Sequence, residues 1–183
     1  MCNFSYVHLP KSNFHKHIKN PVDALFYGRT NLRLASSFYL FQKKGSVQKI
    51  LHAIKYKKNK ELAVLVGQWY AEDLKEDPII SRANCIIPVP LHTKKLKLRG
   101  YNQSEEFGKG LSMGLNIALD TNSLRRKEFT ETQTKKSKYE RWENVEDVFE
   151  LSAMENLRHK HVVLVDDVIT TGATIEACCQ VLQ

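Results

Sequence analysis

The stretch that decides the fold is HVVLVDDVITTGATIEA, residues 161–177. It opens with the apolar run Val162–Val165, in which three of four residues are β-branched. Such a run is typical of a short strand that is buried on both faces. After an acidic pair and a run of small residues, apolar side chains recur at helical spacing, at Ile175, Cys178, Cys179 and Leu182. The pattern predicts a helix that begins between Gly172 and Thr174.

The turn between this strand and this helix has the composition of a phosphate site. Backbone N–H groups at a helix N-terminus lack intrahelical partners and attract anions. Threonine hydroxyls can add donors, and a glycine lets the backbone approach a ligand closely. The candidate phosphate-binding residues are Thr170, Thr171, Gly172, Ala173 and Thr174.

The adjacent carboxylates of Asp166 and Asp167 need a different partner, because they repel a phosphate. Vicinal sugar hydroxyls or the water shell of Mg²⁺ would suit them. A ribose 5-phosphate that carries a Mg²⁺-bound diphosphate satisfies all of these groups at once. The alternative is a solvated strand end followed by an ordinary helix cap.

A second short strand is predicted within residues 81–90. The apolar residues there are ended by Pro88 and Pro90, which cannot continue a central ladder, so Pro88–His92 forms a turn at the strand end. Strands and helices alternate from here onward, which predicts an α/β fold with a mainly parallel twisted sheet flanked by helices. Ligands in such folds lie beyond the carboxyl ends of the strands, where both turns fall.

The chain divides into a small N-terminal appendage and a main domain. We expect residues 1–44 to form an irregular arm and a hairpin-like segment with a strand over Ala35–Phe41. Residues 45–183 form the main domain. Its first helix is predicted to begin at Gly45–Ser46. A second helix should cover about Glu61–Leu74, and its apolar face should carry Leu62, Leu65, Val66 and Trp69. A third helix should cover about Ser104–Leu115. The polar residues 120–146 are expected to form a long functional loop.

Composition narrows the class of protein. The chain has 183 residues, 42% hydrophobic residues and a net charge of +8, which is ordinary for a globular protein apart from its basic balance. Residues 92–141 carry twelve Lys and Arg against six Asp and Glu, a surface that attracts a diphosphate or a nucleic acid. Neither a membrane span nor a secretory signal is evident, so we expect a cytoplasmic protein with reduced cysteines and no membrane insertion.

Five motifs in this order resemble the ComF (competence protein F, amidophosphoribosyltransferase-like) family, which has a type I phosphoribosyltransferase fold. They are Pro88–His92, Arg99–Gln103, Thr132-Gln133, Arg141–Asn144 and Asp166–Thr174.

The resemblance assigns roles to most of these residues. It implies that Asp166 and Asp167 hold the ribose hydroxyls of 5-phosphoribosyl 1-diphosphate (PRPP), and that Thr170–Thr174 hold its 5-phosphate. It implies that Pro90, Leu91 and His92 face the diphosphate, with Mg²⁺ bound through the diphosphate and water near the two acids. Arg99 and Arg141 are candidates for neutralising the leaving diphosphate, and each could equally be a surface ion-pair partner.

Two departures from the family are expected to matter. Zinc is not expected, because only Cys2 stands where relatives often carry a cysteine-rich segment. The main domain is expected to lack the last strand of the type I core.

Three functions fit the sequence. The first is an enzyme of the phosphoribosyltransferase class that transfers the phosphoribosyl group to a nitrogen acceptor. The second is a PRPP sensor without catalysis. The third is an accessory of DNA uptake that binds single-stranded DNA through its basic segment.

Overall fold

Three parallel strands form the central sheet of the protein. The structure, a computed structural model, describes residues 9–127, 148–152 and 157–183. In chain order the described strands are β1 (Cys85–Pro88), β2 (Ala118–Leu119), β3 (Leu124–Arg126), β4 (Phe149–Leu151) and β5 (Val162–Val165). The sheet has the order β2-β1-β5, and β3 and β4 pair separately as an antiparallel ribbon. The predicted α/β fold with a parallel sheet is confirmed.

Helices flank the sheet. The α-helices are α1 (Ser46–Tyr56), α2 (Lys60–Leu74), α3 (Thr93–Arg99), α4 (Gln103–Leu115) and α5 (Ala173–Leu182). Short 3-10 helices lie at Phe14–Lys16, Asp23–Phe26 and Ile80–Arg82. The predicted starts of α1, α2, α4 and α5, and the predicted ends of α2 and α4, agree with these bounds to within two residues. α3 was not predicted, because Gly100 weakens the helical pattern; in the structure Gly100 has a φ of +81° and ends the helix.

The core has two layers, one on each face of β1. Ile86 is fully buried against α2 and α4, whereas Cys85 and Ile87 face α5 and the β3–β4 ribbon. β1 is buried along its whole length, but β5 is fully buried only at Val165. The expectation that β5 is buried on both faces along its length is therefore wrong. β5 lies at one edge of the sheet within the described part of the chain, and an edge strand is covered less completely.

The strand register aligns the carboxyl ends of β1 and β5. Pro88 lies opposite Val165 in the parallel ladder. Val89 then donates its amide to the Val165 carbonyl at 2.9 Å, so the chain leaves both strands at the same edge. The turn after Pro88 and the acidic pair after Val165 consequently meet.

α2 and α4 pack through glycines. A Cβ atom built on Gly67 would lie 2.2 Å from the Phe107 carbonyl oxygen, and one built on Gly110 would lie 2.0 Å from the Val64 carbonyl oxygen. The backbones thus touch directly, and the buried side of α2 is centred on Gly67, with Ala63, Val66, Tyr70, Ala71 and Leu74. The predicted apolar face is wrong for Leu65 and Trp69, which are 40% and 41% exposed.

Two further expectations differ from the structure or fall outside it. Residues 35–41 do not form a strand; the segment makes one isolated antiparallel bridge, Lys11 to Tyr39, and its Phe38 packs on Tyr70. The strand-forming side chains of this segment have a core contact, but no strand among the described residues pairs with them. Most of the expected loop, including Thr132-Gln133 and Arg141–Asn144, lies outside the described residues, as does Cys2. The division of the chain at residue 44 stays a prediction. Among the described helices, none combines the length and apolarity needed to cross a bilayer.

Candidate functional site

Asp166 lies directly after β5 and is held by the N-terminus of α4. Its Oδ1 accepts a hydrogen bond from the Ser104 hydroxyl at 2.8 Å and another from the Asp167 amide, also at 2.8 Å. These two bonds fix the carboxylate at the carboxyl edge of the sheet.

Asp167 is paired with a lysine from α1. Lys55 Nζ lies 2.9 Å from Asp167 Oδ2, and the two side chains are 21% and 19% exposed. No role was predicted for Lys55. The structure adds this lysine to the site.

Burial and nearby charges set the direction of the pKa shift of Asp166. Burial raises the pKa of Asp166, and the neighbouring charge of Asp167 raises it further. The hydrogen bonds from Ser104 and the Asp167 amide, together with the charge of Lys55, act in the opposite direction without cancelling the rise. Asp166 is therefore more easily protonated than an ordinary aspartate.

Each aspartate has one carboxylate oxygen that no described residue contacts. Within the described ranges, Asp166 Oδ2 and Asp167 Oδ1 have no protein partner. Carboxylate oxygens of this kind accept hydrogen bonds from sugar hydroxyls or from the water shell that Mg²⁺ keeps in protein sites. The donor set therefore fits a Mg²⁺ ion that arrives with a phosphorylated ligand. The described residues contain no group of three or more His, Cys, Asp or Glu placed to hold a metal by themselves.

The turn after β1 is tied to the same edge. Asn102 Nδ2 donates to the Val89 carbonyl at 2.9 Å, and Asn102 Oδ1 caps α4 through the Ser104 amide. Pro90 and Leu91 are half-buried within this turn. His92 caps α3, with Nδ1 accepting from the Lys94 amide at 3.1 Å. The turn predicted to face a diphosphate thus lies beside the N-terminus of α4.

Of the two candidate arginines, Arg99 lies next to the N-terminus of α4. Its Nη1 donates to Gln103 Oε1 at 2.6 Å, and Gln103 directly precedes the serine that holds Asp166. Gln103 is 2% exposed, so it anchors the guanidinium firmly. Arg141 lies outside the described residues, and its role stays a prediction.

The predicted phosphate loop begins α5. Thr170, Thr171 and Thr174 are exposed, whereas Gly172 is buried with a φ of +79°, a value that favours glycine. The first intrahelical bond joins the Glu176 amide to the Gly172 carbonyl at 2.9 Å. The amides of residues 173–175 precede it, and in the described part of the chain only Ala173 has an acceptor, Thr171 Oγ1 at 3.5 Å. Donors are thus available on the exposed side of the loop.

The N-terminal arm covers the other side of this loop. A Cβ atom on Gly172 would lie 2.9 Å from the Phe26 ring. Arg29 donates to the carbonyls of Leu25 and Thr171 and to the carboxylate of Glu176. The loop is therefore supported from behind by the arm while its threonines face solvent.

A cavity of about 990 Å³ lies between the arm, α1, α2 and β5. Its lining is mostly apolar, with Asp166 and Asp167 among the lining residues, and Thr170, Thr171 and Thr174 take no part in it. An apolar interior does not suit a phosphate, so the exposed threonine side of the loop is the better place for one.

Comparisons with known proteins show which proteins the chain resembles. Residues 102–183 match the phosphoribosyl transferase domain, a range that includes the N-terminus of α4, both aspartates and the loop. The chain is 36% identical over 112 residues to competence protein F of Haemophilus influenzae, covering 61% of this chain and 49% of that protein. It is 28% identical over 136 residues to DNA utilization protein YhgH of Escherichia coli K12, covering 73% of this chain and 59% of that protein.

The chain is a ComF-like protein, similar to competence protein F, with a match to the phosphoribosyl transferase domain over residues 102–183. It spans about half the length of competence protein F and about three-fifths of YhgH. No solved structure matches it.

Three residues of this ComF-like protein were missed from the sequence as site residues. Ser104 and Lys55 hold the two aspartates, and Arg29 holds the loop. Their partners are distant in the chain, by 62 residues for Ser104 and 142 for the Arg29 to Thr171 bond. No motif named in the sequence analysis indicated these contacts.

We expect Ser104→Ala to move the pH dependence of ligand binding in this ComF-like protein. The Ser104 hydroxyl bond lowers the pKa of Asp166, so its removal raises that pKa and protonates the carboxyl at a higher pH. Affinity for a phosphorylated ribose, measured by calorimetry from pH 7 downward, should then begin to fall at a higher pH than in the wild type. The titration of the ligand itself is the same for both proteins and cancels in the comparison.

Ser112→Ala is the matched control, because Ser112 donates to the Ile117 carbonyl at the opposite end of α4. Its binding profile should follow the wild type. Identical profiles for Ser104→Ala and the wild type would contradict the role of the Ser104 bond.

Proposed function

We propose that this protein binds PRPP together with Mg²⁺ and transfers the phosphoribosyl group to a nitrogen acceptor. The observation that carries the proposal is a pair of oxygens, Asp166 Oδ2 and Asp167 Oδ1, that have no partner among the described residues. They lie beside an exposed threonine loop at the N-terminus of α5. Acceptors for two sugar hydroxyls and donors for one phosphate thus follow each other along nine residues of chain, from Asp166 to Thr174.

Each described residue has a defined task in this proposal. The two aspartates accept hydrogen bonds from the ribose hydroxyls, while Ser104 and Lys55 keep the carboxylates in place. Thr170–Thr174 bind the 5-phosphate through hydroxyls and amides. Bound Mg²⁺ would supply positive charge to the diphosphate.

The reaction breaks the bond between ribose C1 and the diphosphate oxygen, which leaves with the bonding electrons. A nitrogen lone pair forms the new bond at C1. Positive charge develops on the ribose and negative charge on the leaving group, as in glycosyl transfer. Arg99, anchored by the buried Gln103, would stabilise the developing negative charge.

Calorimetry with PRPP, with and without Mg²⁺, tests the binding step. We expect Mg²⁺-dependent binding of PRPP and weaker binding of ribose 5-phosphate, which lacks the diphosphate. Release of diphosphate in the presence of ammonia, amines and nucleobases tests the transfer step. Binding without release from any acceptor would favour the sensor function, and no binding of either ligand would contradict the proposal.

A second function, binding of single-stranded DNA, is favoured by α3. This helix exposes Lys94, Lys95 and Lys97, and within the described residues none of the three forms an ion pair. The names of the relatives, a competence protein and a DNA utilization protein, support the same function. An exposed basic helix binds nucleic-acid backbones with a steep dependence on salt.

We expect the triple change of Lys94, Lys95 and Lys97 to Gln to weaken single-strand binding and to reduce the salt slope by about two, since each phosphate contact contributes about 0.7 on single strands. Fluorescence anisotropy of a labelled oligothymidine over a range of salt concentrations measures both quantities. The control changes Lys43, Lys44 and Lys49 to Gln, since these are also exposed and lower the net charge equally. Equal effects of both triple changes would show that only net charge matters.

A further inference from the structure

Arg29 joins the N-terminal arm to the start of α5 at two points. Its Nη1 donates to the Thr171 carbonyl at 3.1 Å. Its Nε donates to Glu176 Oε1 at 3.1 Å, and Nη2 contacts Glu176 Oε2, so the guanidinium and the carboxylate form a bidentate ion pair. A third bond, to the Leu25 carbonyl at 3.0 Å, fixes the guanidinium within the arm itself.

The bond to Thr171 orients a peptide group of the loop. In a planar trans peptide the carbonyl oxygen and the following amide hydrogen point in opposite directions. Because Arg29 draws the Thr171 carbonyl toward the arm, the Gly172 amide points away from the arm, to the side where the threonines are exposed. An arginine on the arm thereby sets the direction of an anion-binding donor.

The bond to Glu176 removes an unfavourable charge. Glu176 lies in the first turn of α5, where its carboxylate repels an anion bound at the helix N-terminus. Arg29 neutralises that carboxylate. The ion pair is partly exposed, with side chains 38% and 21% accessible, so it contributes little to the free energy of unfolding. Its effect on a bound anion is then separable from its effect on stability.

We propose that Arg29 is a positioning residue for the phosphate loop, which it orients through the Thr171 carbonyl and makes receptive to phosphate by neutralising Glu176. The inference rests on the proposed function, because it concerns the phosphate that Thr170–Thr174 would bind. It makes the N-terminal arm a working part of the ligand site.

A double-mutant cycle tests this role. Ribose 5-phosphate is the probe, and calorimetry measures its affinity for the wild type, Arg29→Gln, Glu176→Gln and the double variant. We expect Arg29→Gln to weaken binding about tenfold, the effect of one uncompensated charge near the phosphate. The double variant should bind within about threefold of the wild type, because the repelling carboxylate is gone.

The free protein gives a second readout. The amide resonance of Gly172 in a ¹⁵N-resolved spectrum should shift in Arg29→Gln, since the peptide group loses the bond that orients it. Lys11→Gln is the matched control, because Lys11 joins the arm to Asp73 of α2 at 2.8 Å and does not touch the loop. This control should keep both the affinity and the Gly172 resonance.

The outcomes separate this inference from the proposed function. If the wild type binds ribose 5-phosphate and Arg29→Gln binds it equally well, the inference alone is overturned. If the double variant stays as weak as Arg29→Gln, the proposed neutralisation of Glu176 by the arginine is overturned. If the wild type binds neither ribose 5-phosphate nor PRPP, the proposed function and this inference fail together.

Discussion

Replacing Asp166 with Asn is expected to weaken PRPP binding by about 100-fold, because hydrogen bonds to a charged group contribute about 1.5–3 kcal/mol and the Asn side chain has no charge. The free energy of unfolding should stay the same or increase at neutral pH. Burial raises the pKa of Asp166, which means that the ionised carboxylate lowers the free energy of unfolding at neutral pH. Asparagine removes that cost and still accepts the Ser104 bond. Calorimetry and urea unfolding measure the two effects on the same samples.

The raised pKa of Asp166 also determines how the free energy of unfolding changes with pH. Because the folded pKa of Asp166 is raised, the folded state binds more protons than the unfolded state between the ordinary Asp value of 3.8 and the raised value. The contribution of this group to stability is present below pH 3.8 and is lost as the pH rises through the folded pKa. The Asp166→Asn protein should not lose stability as the pH rises through that value.

Asp120 is the matched control, since it also follows a strand of the sheet. Burial alone would raise the pKa of Asp120, but hydrogen bonds from Ser123 and Asn122 outweigh it and lower the pKa below its ordinary value. Asp120→Asn should therefore reduce stability at neutral pH and leave PRPP affinity unchanged. Equal affinities for the wild type and Asp166→Asn would contradict the assignment of Asp166 to the ligand.

Gly110→Ala is expected to destabilise the protein by about 3 kcal/mol, at the upper end of what overpacking a core costs. The added Cβ would lie 2.0 Å from the Val64 carbonyl oxygen and 2.8 Å from the Gln68 amide nitrogen. Both atoms belong to the backbone of α2, so whole helices must move apart. Alanine has a better helix propensity than glycine, but this stabilises the helix by only about 1 kcal/mol. Urea unfolding checks the result.

Met113→Ala is the control for the helix crossing. Met113 lies on α4 and is 66% exposed, so its truncation should change the free energy of unfolding by less than about 0.5 kcal/mol. A Gly110→Ala protein as stable as this control would show that the two helices do not pack through their glycines.

Local patterns in the sequence were sufficient for part of this fold. The strand at Val162–Val165, the helix after Gly172 and the turn after Pro88 were all predicted, because each depends on neighbouring residues. The buried side of α2 was not, since hydrophobic periodicity gives no weight to Gly67, whose value lies in how closely α4 can approach. The expected strand over residues 35–41 failed for a related reason. Strand propensity cannot supply a partner strand.

The candidate site divides in the same way. The two aspartates and the threonine loop form one continuous segment, so the sequence alone could place them next to each other. Lys55, Ser104 and Arg29 act on that segment from three other parts of the chain. A lysine, a serine and an arginine are common on any surface, and only their positions in the folded chain distinguish them.

Because β1 and β5 are in register, their amino ends also meet, at the edge away from the aspartates, where Asn84 and His161 exchange hydrogen bonds of 2.8 and 2.7 Å. The exposed turn before His161 ends in Lys160. Cys85, Cys178 and Cys179 are buried thiols whose pKa values are raised, to about 11 for Cys179, so they react slowly with maleimides. A cysteine placed at Lys160 in a Cys2→Ser background therefore offers a position for a fluorophore or surface tether that leaves the opposite edge of the sheet open.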